Sequence, residues 1–136
     1  MSSNSVKNRQ RLAPLMMAVT LIAGVFGAVV QLMPDGTMLT FLVGVSAIAG
    51  LSGSRKSFDE RENQLLDHSY STAFEYLFIV IYFTYAFFLF AGWLNFAGEV
   101  LNFIQGHWIG LLASTMCILL GAVGLHNFRD VEKTSP

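Results

Sequence analysis

Charge in this sequence is confined to a few short stretches, and the windows between them are long and apolar. From Leu12 to Met33 no Asp, Glu, Lys or Arg occurs. At a helical rise of about 1.5 Å per residue such a run reaches across the ~30 Å hydrocarbon core of a bilayer. A soluble domain of this size does not hide so much apolar surface: 54% of the residues are hydrophobic and 12% are charged, against roughly a quarter charged in ordinary globular chains. The chain therefore reads as an integral membrane protein. It offers no basic face for nucleic acid, and its single cysteine, Cys117, forms no internal disulfide.

Residues 1–11 are polar and carry Lys7, Arg9 and Arg11. The apolar run after them exceeds the roughly 7–15 residues of a secretory signal core, and no small-x-small cleavage site follows it. It is expected to remain as a first span over residues 12–33, with Pro14 tolerated in its first turn. Pro34-Asp35-Gly36 is a turn signal, because proline fixes φ, aspartate bonds its own backbone and glycine accepts positive φ. A second span, 37–53, is short and rich in small residues, and Ser54-Arg55-Lys56 ends it in water.

Ser57 and Glu60 have the spacing of a capping box, which marks a helix start. No Gly or Pro follows before Gly92, so one helix is expected to begin near Phe58. It would carry a solvent-exposed extension over 58–69 and a third span over 70–92. Beyond Trp93, Asn95, Glu99, Asn102 and Gly106 recur at helical spacing opposite an apolar face, the pattern of a short amphipathic helix lying in the interface. A fourth span covers 108–128, and the tail is polar. The fold class is an all-α membrane protein in which residues 1–136 form one four-helix transmembrane domain.

Four spans place the N-terminus, the polar stretch around residues 54–69 and the C-terminus on one side. All eight basic residues (Lys7, Arg9, Arg11, Arg55, Lys56, Arg61, Arg129, Lys133) belong to that side. By the positive-inside rule it is cytoplasmic, and Trp93 and Trp108 are expected at the opposite interface.

Helices in lipid associate through close backbone approach, so small residues mark contact faces. Gly110, Ser114, Cys117, Gly121 and Gly124 form such a stripe in the fourth span, Thr20, Gly24 and Gly27 in the first, and Ser46, Gly50 and Gly53 in the second. These glycines match neither a phosphate loop nor a dinucleotide fingerprint. Chemistry is sparse. Glu75 is the one carboxylate set into a span, where charge is costly without a partner or a wet cavity. His68, Thr72, Glu75 and Tyr82 share one face of the third helix. They suit a proton or cation path, or alternatively a glutamate that snorkels to the interface. His68 and His126 are the only histidines at matching depth for haem, and neither is well inside a span. The acidic residues near the third helix start lack a cation-binding loop geometry. No metal or other cofactor is expected, and no nucleophile constellation supports an enzyme.

The run Asp59-Glu60-Arg61-Glu62, followed by Leu65 or Leu66 and a third span, resembles a motif of small prokaryotic four-span membrane proteins of unknown function, which carry a cytoplasmic Asp-Glu-Arg-acidic stretch before their third span. The resemblance implies architecture and a prokaryotic inner-membrane setting, not an activity. The expected function is a small multi-pass subunit or regulator that associates with another membrane protein or with itself, with Asp59, Glu60, Arg61 and Glu62 as a cytoplasmic docking face. The alternatives are an oligomeric transporter or channel using Glu75, and a haem- or lipid-binding membrane protein.

Overall fold

The structure is a computed structural model that describes residues 12–93 and 98–134. Four long helices account for almost all of it: α1 (Leu12–Val30), α2 (Gly36–Gly53), α3 (Glu60–Trp93) and α4 (Gly98–Thr134), with a 3-10 turn, Ser54–Ser57, joining α2 to α3. Each of the four is long and apolar enough to cross a membrane. The expected N-terminal residues Lys7, Arg9 and Arg11, and Asn95 of the expected amphipathic helix, lie outside the described residues.

The first hairpin is tight. The turn uses its residues differently from the expectation: Asp35, not glycine, takes the left-handed conformation, at φ 62°. Gly36 begins α2, and a Cβ there would run into the Val30 carbonyl. Its lack of a side chain therefore serves the close approach of α2 to the end of α1.

The start of α3 also differs from the sequence reading. The reciprocal capping bonds join Asp59 and Glu62: the Glu62 amide donates to Asp59 Oδ1 at 2.7 Å, and the Asp59 amide donates to Glu62 Oε2 at 3.0 Å. Ser57 instead ends the 3-10 turn, and Phe58 follows in an extended conformation. Phe58 is buried in the main apolar cluster, and that burial holds the chain out of helix until Asp59.

α4 is the central helix and packs against the other three, most extensively against α1. The α1–α4 seam is a succession of glycines. Met17 fills the space at Gly124, the Leu21 backbone lies against Gly121, Gly24 lies against Cys117 and Ile118, Gly27 against Ser114, and the Gln31 amide against Gly110. The facing positions rise along α1 as they fall along α4, which is an antiparallel pair. A Cβ built on Gly24 would sit 2.7 Å from the Ile118 amide nitrogen, and one on Gly121 would sit 2.6 Å from the Leu21 nitrogen. Only glycine permits backbones this close.

α2 joins this seam through Thr40 and Gly44. The Thr40 hydroxyl donates to the Gly27 carbonyl at 2.9 Å, and Gly44 faces Ala113. The stripe expected to pack, Ser46, Gly50 and Gly53, points outward: Ser46 is exposed, and a Cβ on either glycine would meet nothing within 4 Å. The turn decides this. With Gly36 forced against Val30, positions 40 and 44 follow on the same face at intervals of one turn.

The main apolar cluster lies at the end where α1 begins. Ala13 and Met17 of α1, Leu51 of α2, Phe58 from the connection before α3, Leu66 and Ala73 of α3, and Leu120 and Phe128 of α4 pack together there. At the other end the two hairpins differ in length. Gly110 faces Gln31, one residue past the end of α1, so Gly98–Ile109 extends beyond the α1–α2 turn by about 18 Å. The amphipathic segment expected as a separate short helix is thus the first turns of α4. Gly106 does not break it, because a helical glycine costs only ~1 kcal/mol.

Candidate functional site

The third helix carries both the residues singled out for function and the least covered surface. α3 is buried only along Leu66, Ser69, Ala73 and Leu77, and again at Ala91 near its end. That face rests on α4. At its base the helix is fixed by polar contacts. Ser69 donates to the Leu65 carbonyl at 2.7 Å and accepts from Asn127 Nδ2 at 3.0 Å. Arg55 Nη2 bonds Asp67 Oδ1 at 2.5 Å, and its guanidinium lies over the Tyr70 ring, 5.7 Å from the centroid. Asn63 Nδ2 donates to the Arg55 carbonyl at 3.3 Å. The ion pair is about half exposed, so it is worth no more than ~1 kcal/mol, and its main effect is to set the angle at which α3 leaves the 3-10 turn.

His68, Thr72, Glu75 and Tyr82 occupy the side of α3 turned away from α4. His68, Glu75 and Tyr82 are exposed and Thr72 is half-buried. At about 100° per residue this row stands roughly opposite the row Leu77, Thr84 and Phe88. Among the described residues this row faces outward, so a proton path using it would have to run between chains. Glu75 makes no hydrogen bond or ion pair among the described residues. It lies eight residues past Asp67, about 12 Å further along the helix. Exposed aromatic side chains surround it: Phe74, Tyr76 and Phe78 near its own level, then Tyr82 and Phe83.

His68 and His126 are both exposed. His126 Nε2 lies 3.4 Å from Asp130 Oδ2. In the acidic run expected to dock, Asp59 and Glu62 are engaged with each other's backbone, while Glu60 and Arg61 remain exposed.

The sequence reading did not single out the Ser69–Asn127 bond or the Thr40–Gly27 bond, whereas Gln31, which continues the Thr20, Gly24 and Gly27 stripe expected on the first helix, does pack against Gly110. Gln31 is 1% exposed and accepts from the Thr37 hydroxyl at 3.2 Å. Both Ser69 and Asn127 are polar residues within about two and a half turns of the helix ends on the same side, which was the available signal; Thr40 becomes legible only once the α2 face is known. Compared with family models, curated proteins and solved structures, the chain matches none.

Proposed function

We propose that this protein is a non-enzymatic accessory subunit of the cell membrane that docks laterally on another membrane protein, or on further copies of itself, through the outer face of α3. The observation that carries this reading is the bare side of α3 with the unpaired Glu75 on it. A carboxylate at membrane depth is costly unless a partner or water meets it, and within the described residues no group does. A partner's hydroxyl, amide or basic side chain at that height removes the cost and confers register.

The unequal hairpins support the same reading. About 21 residues separate Trp108 from Arg129, close to 31 Å and so one hydrocarbon core. With α1 crossing the same layer, the Asp35 turn and Trp108 fall near one interface. The end of α3 and the start of α4 then stand beyond it, with Leu89, Phe90, Trp93 and Val100 exposed. Apolar side chains above the core favour a partner's surface over water. In this reading Arg55, Lys56, Arg61 and Arg129 mark the cytoplasmic end, both termini lie there, and the resemblance of the Asp59–Glu62 run suggests a prokaryotic inner membrane. Glu60 and Arg61 are free to extend the contact outside the bilayer.

Native electrophoresis in mild detergent tests the reading. The wild-type chain is expected in a discrete assembly larger than the 15.0 kDa monomer with its micelle. Glu75→Lys should deplete that assembly at least tenfold, whereas Ser46→Leu on the exposed α2 face should leave it intact. A wild-type monomer, or an assembly indifferent to Glu75→Lys, contradicts the proposal.

A further inference from the structure

On the side of α3 opposite Glu75, the two long helices touch at two levels and part between them. Leu77 closes the gap below and Ala91, 1% exposed, closes it above. Between them lies a groove of about 750 Å³ whose walls include Val80, Phe88, Trp108, Leu111 and Leu112. Counting equally along both helices from the Ser69–Asn127 bond brings Phe88 level with Trp108, so in the membrane placement above the groove starts near the far interface and runs inward.

Its size and walls select among occupants. A second membrane helix, about 10 Å across, would have to seat directly against these walls. Helices in lipid approach through small residues, as α1 and α4 do here, and these walls are branched and aromatic. The volume instead falls within the ~300–1,000 Å³ of small-molecule sites. Two hydroxyls in the walls are already used: Thr84 donates to the Val80 carbonyl at 2.8 Å, and Thr115 donates to the Leu111 carbonyl at 2.7 Å. The remaining polar groups of the lining are the Tyr85 hydroxyl, the Gln105 amide and the Trp108 indole, gathered toward the interface end. None of the lining residues is charged.

We propose that the α3–α4 groove binds one single-chain amphiphile, its hydrocarbon tail along Val80, Leu111 and Leu112 and its uncharged, hydrogen-bond-accepting head at Tyr85, Gln105 and Trp108. An anionic head finds no cation among the lining residues, and a second membrane helix finds no glycine or alanine seam to pack on.

The sequence contains two tryptophans, so Trp93→Phe leaves Trp108 as the only one, seated in the groove wall. Titrating that variant in detergent with dibrominated stearyl alcohol should quench Trp108 saturably, at about one equivalent, while dibrominated stearate at neutral pH binds at least tenfold more weakly. Val80→Phe and, separately, Ile81→Phe fill the groove from positions that are 41% and 43% exposed; each should abolish the saturable phase in protein that keeps its melting temperature. Quenching that rises linearly with brominated chain, as for any lipid-facing tryptophan, overturns the proposal. So does saturable quenching that survives in both filled variants. Equal affinity for alcohol and carboxylate overturns the assignment of an uncharged head.

Discussion

Substituting Gly121 with alanine tests the glycine seam where it is least able to yield. The added Cβ would lie 2.6 Å from the Leu21 nitrogen and 2.7 Å from both Leu21 Cα and Cβ. Those are mostly backbone atoms, so no rotamer change relieves the contact and the helices must separate by several tenths of an ångström. Overpacking of this kind costs about 1–3 kcal/mol. Alanine also gains about 0.8–1 kcal/mol of helix propensity over glycine, which masks part of the loss. Gly50→Ala provides the reference, because a Cβ there meets nothing within 4 Å and only the propensity gain remains. The difference between the two variants isolates the packing cost, about 1–3 kcal/mol. At roughly 4 °C per kcal/mol for a chain of this size, it is a gap of about 4–12 °C. Thermal unfolding in one detergent, followed by circular dichroism, reads it directly. Equal melting temperatures for the two variants would refute the close α1–α4 approach.

The turn and the cap offer sharper contrasts. Gly36→Ala drives a Cβ onto the Val30 carbonyl and should cost ~2 kcal/mol or more, whereas Asp35→Gly, which relaxes a left-handed residue, should be neutral or stabilising in the same melt. Asp59→Ala should lose about 1 kcal/mol as the α3 cap disappears, and Ser57→Ala close to nothing. A double-mutant cycle on Ser69→Ala and Asn127→Ala should return a coupling of about 0.6–1.7 kcal/mol, the range for hydrogen bonds between membrane helices; zero coupling would mean that the 3.0 Å contact contributes nothing.

The four apolar helices were legible because length and charge exclusion act locally and need no tertiary information. Which small residues face which helix was legible only in part. Gly24, Gly27, Gly110, Gly121 and Gly124 lie in the α1–α4 seam, but on α2 two small rows compete, and the sequence does not say which one the hairpin turns inward. The steric demand of Gly36 on Val30 makes that choice in favour of Thr40 and Gly44. The cap was misplaced for a similar reason. Ser57-x-x-Glu60 and Asp59-x-x-Glu62 both satisfy the pattern, and the burial of Phe58 between them selects the second. The outward direction of the Glu75 row also depended on tertiary packing, since aromatic residues fall on every side of the third span.

The proposed outer α3 contact is tested most directly by a photocrosslinker placed in turn at Ile79, on the Glu75 face, and at Val45 on α2, which is comparably exposed, in membranes before detergent extraction. The account predicts a discrete protein adduct from Ile79, either with one partner or with a second copy, that is lost on Glu75→Lys, and only lipid adducts from Val45. Lipid adducts alone at both positions, with no protein captured along α3, would contradict it.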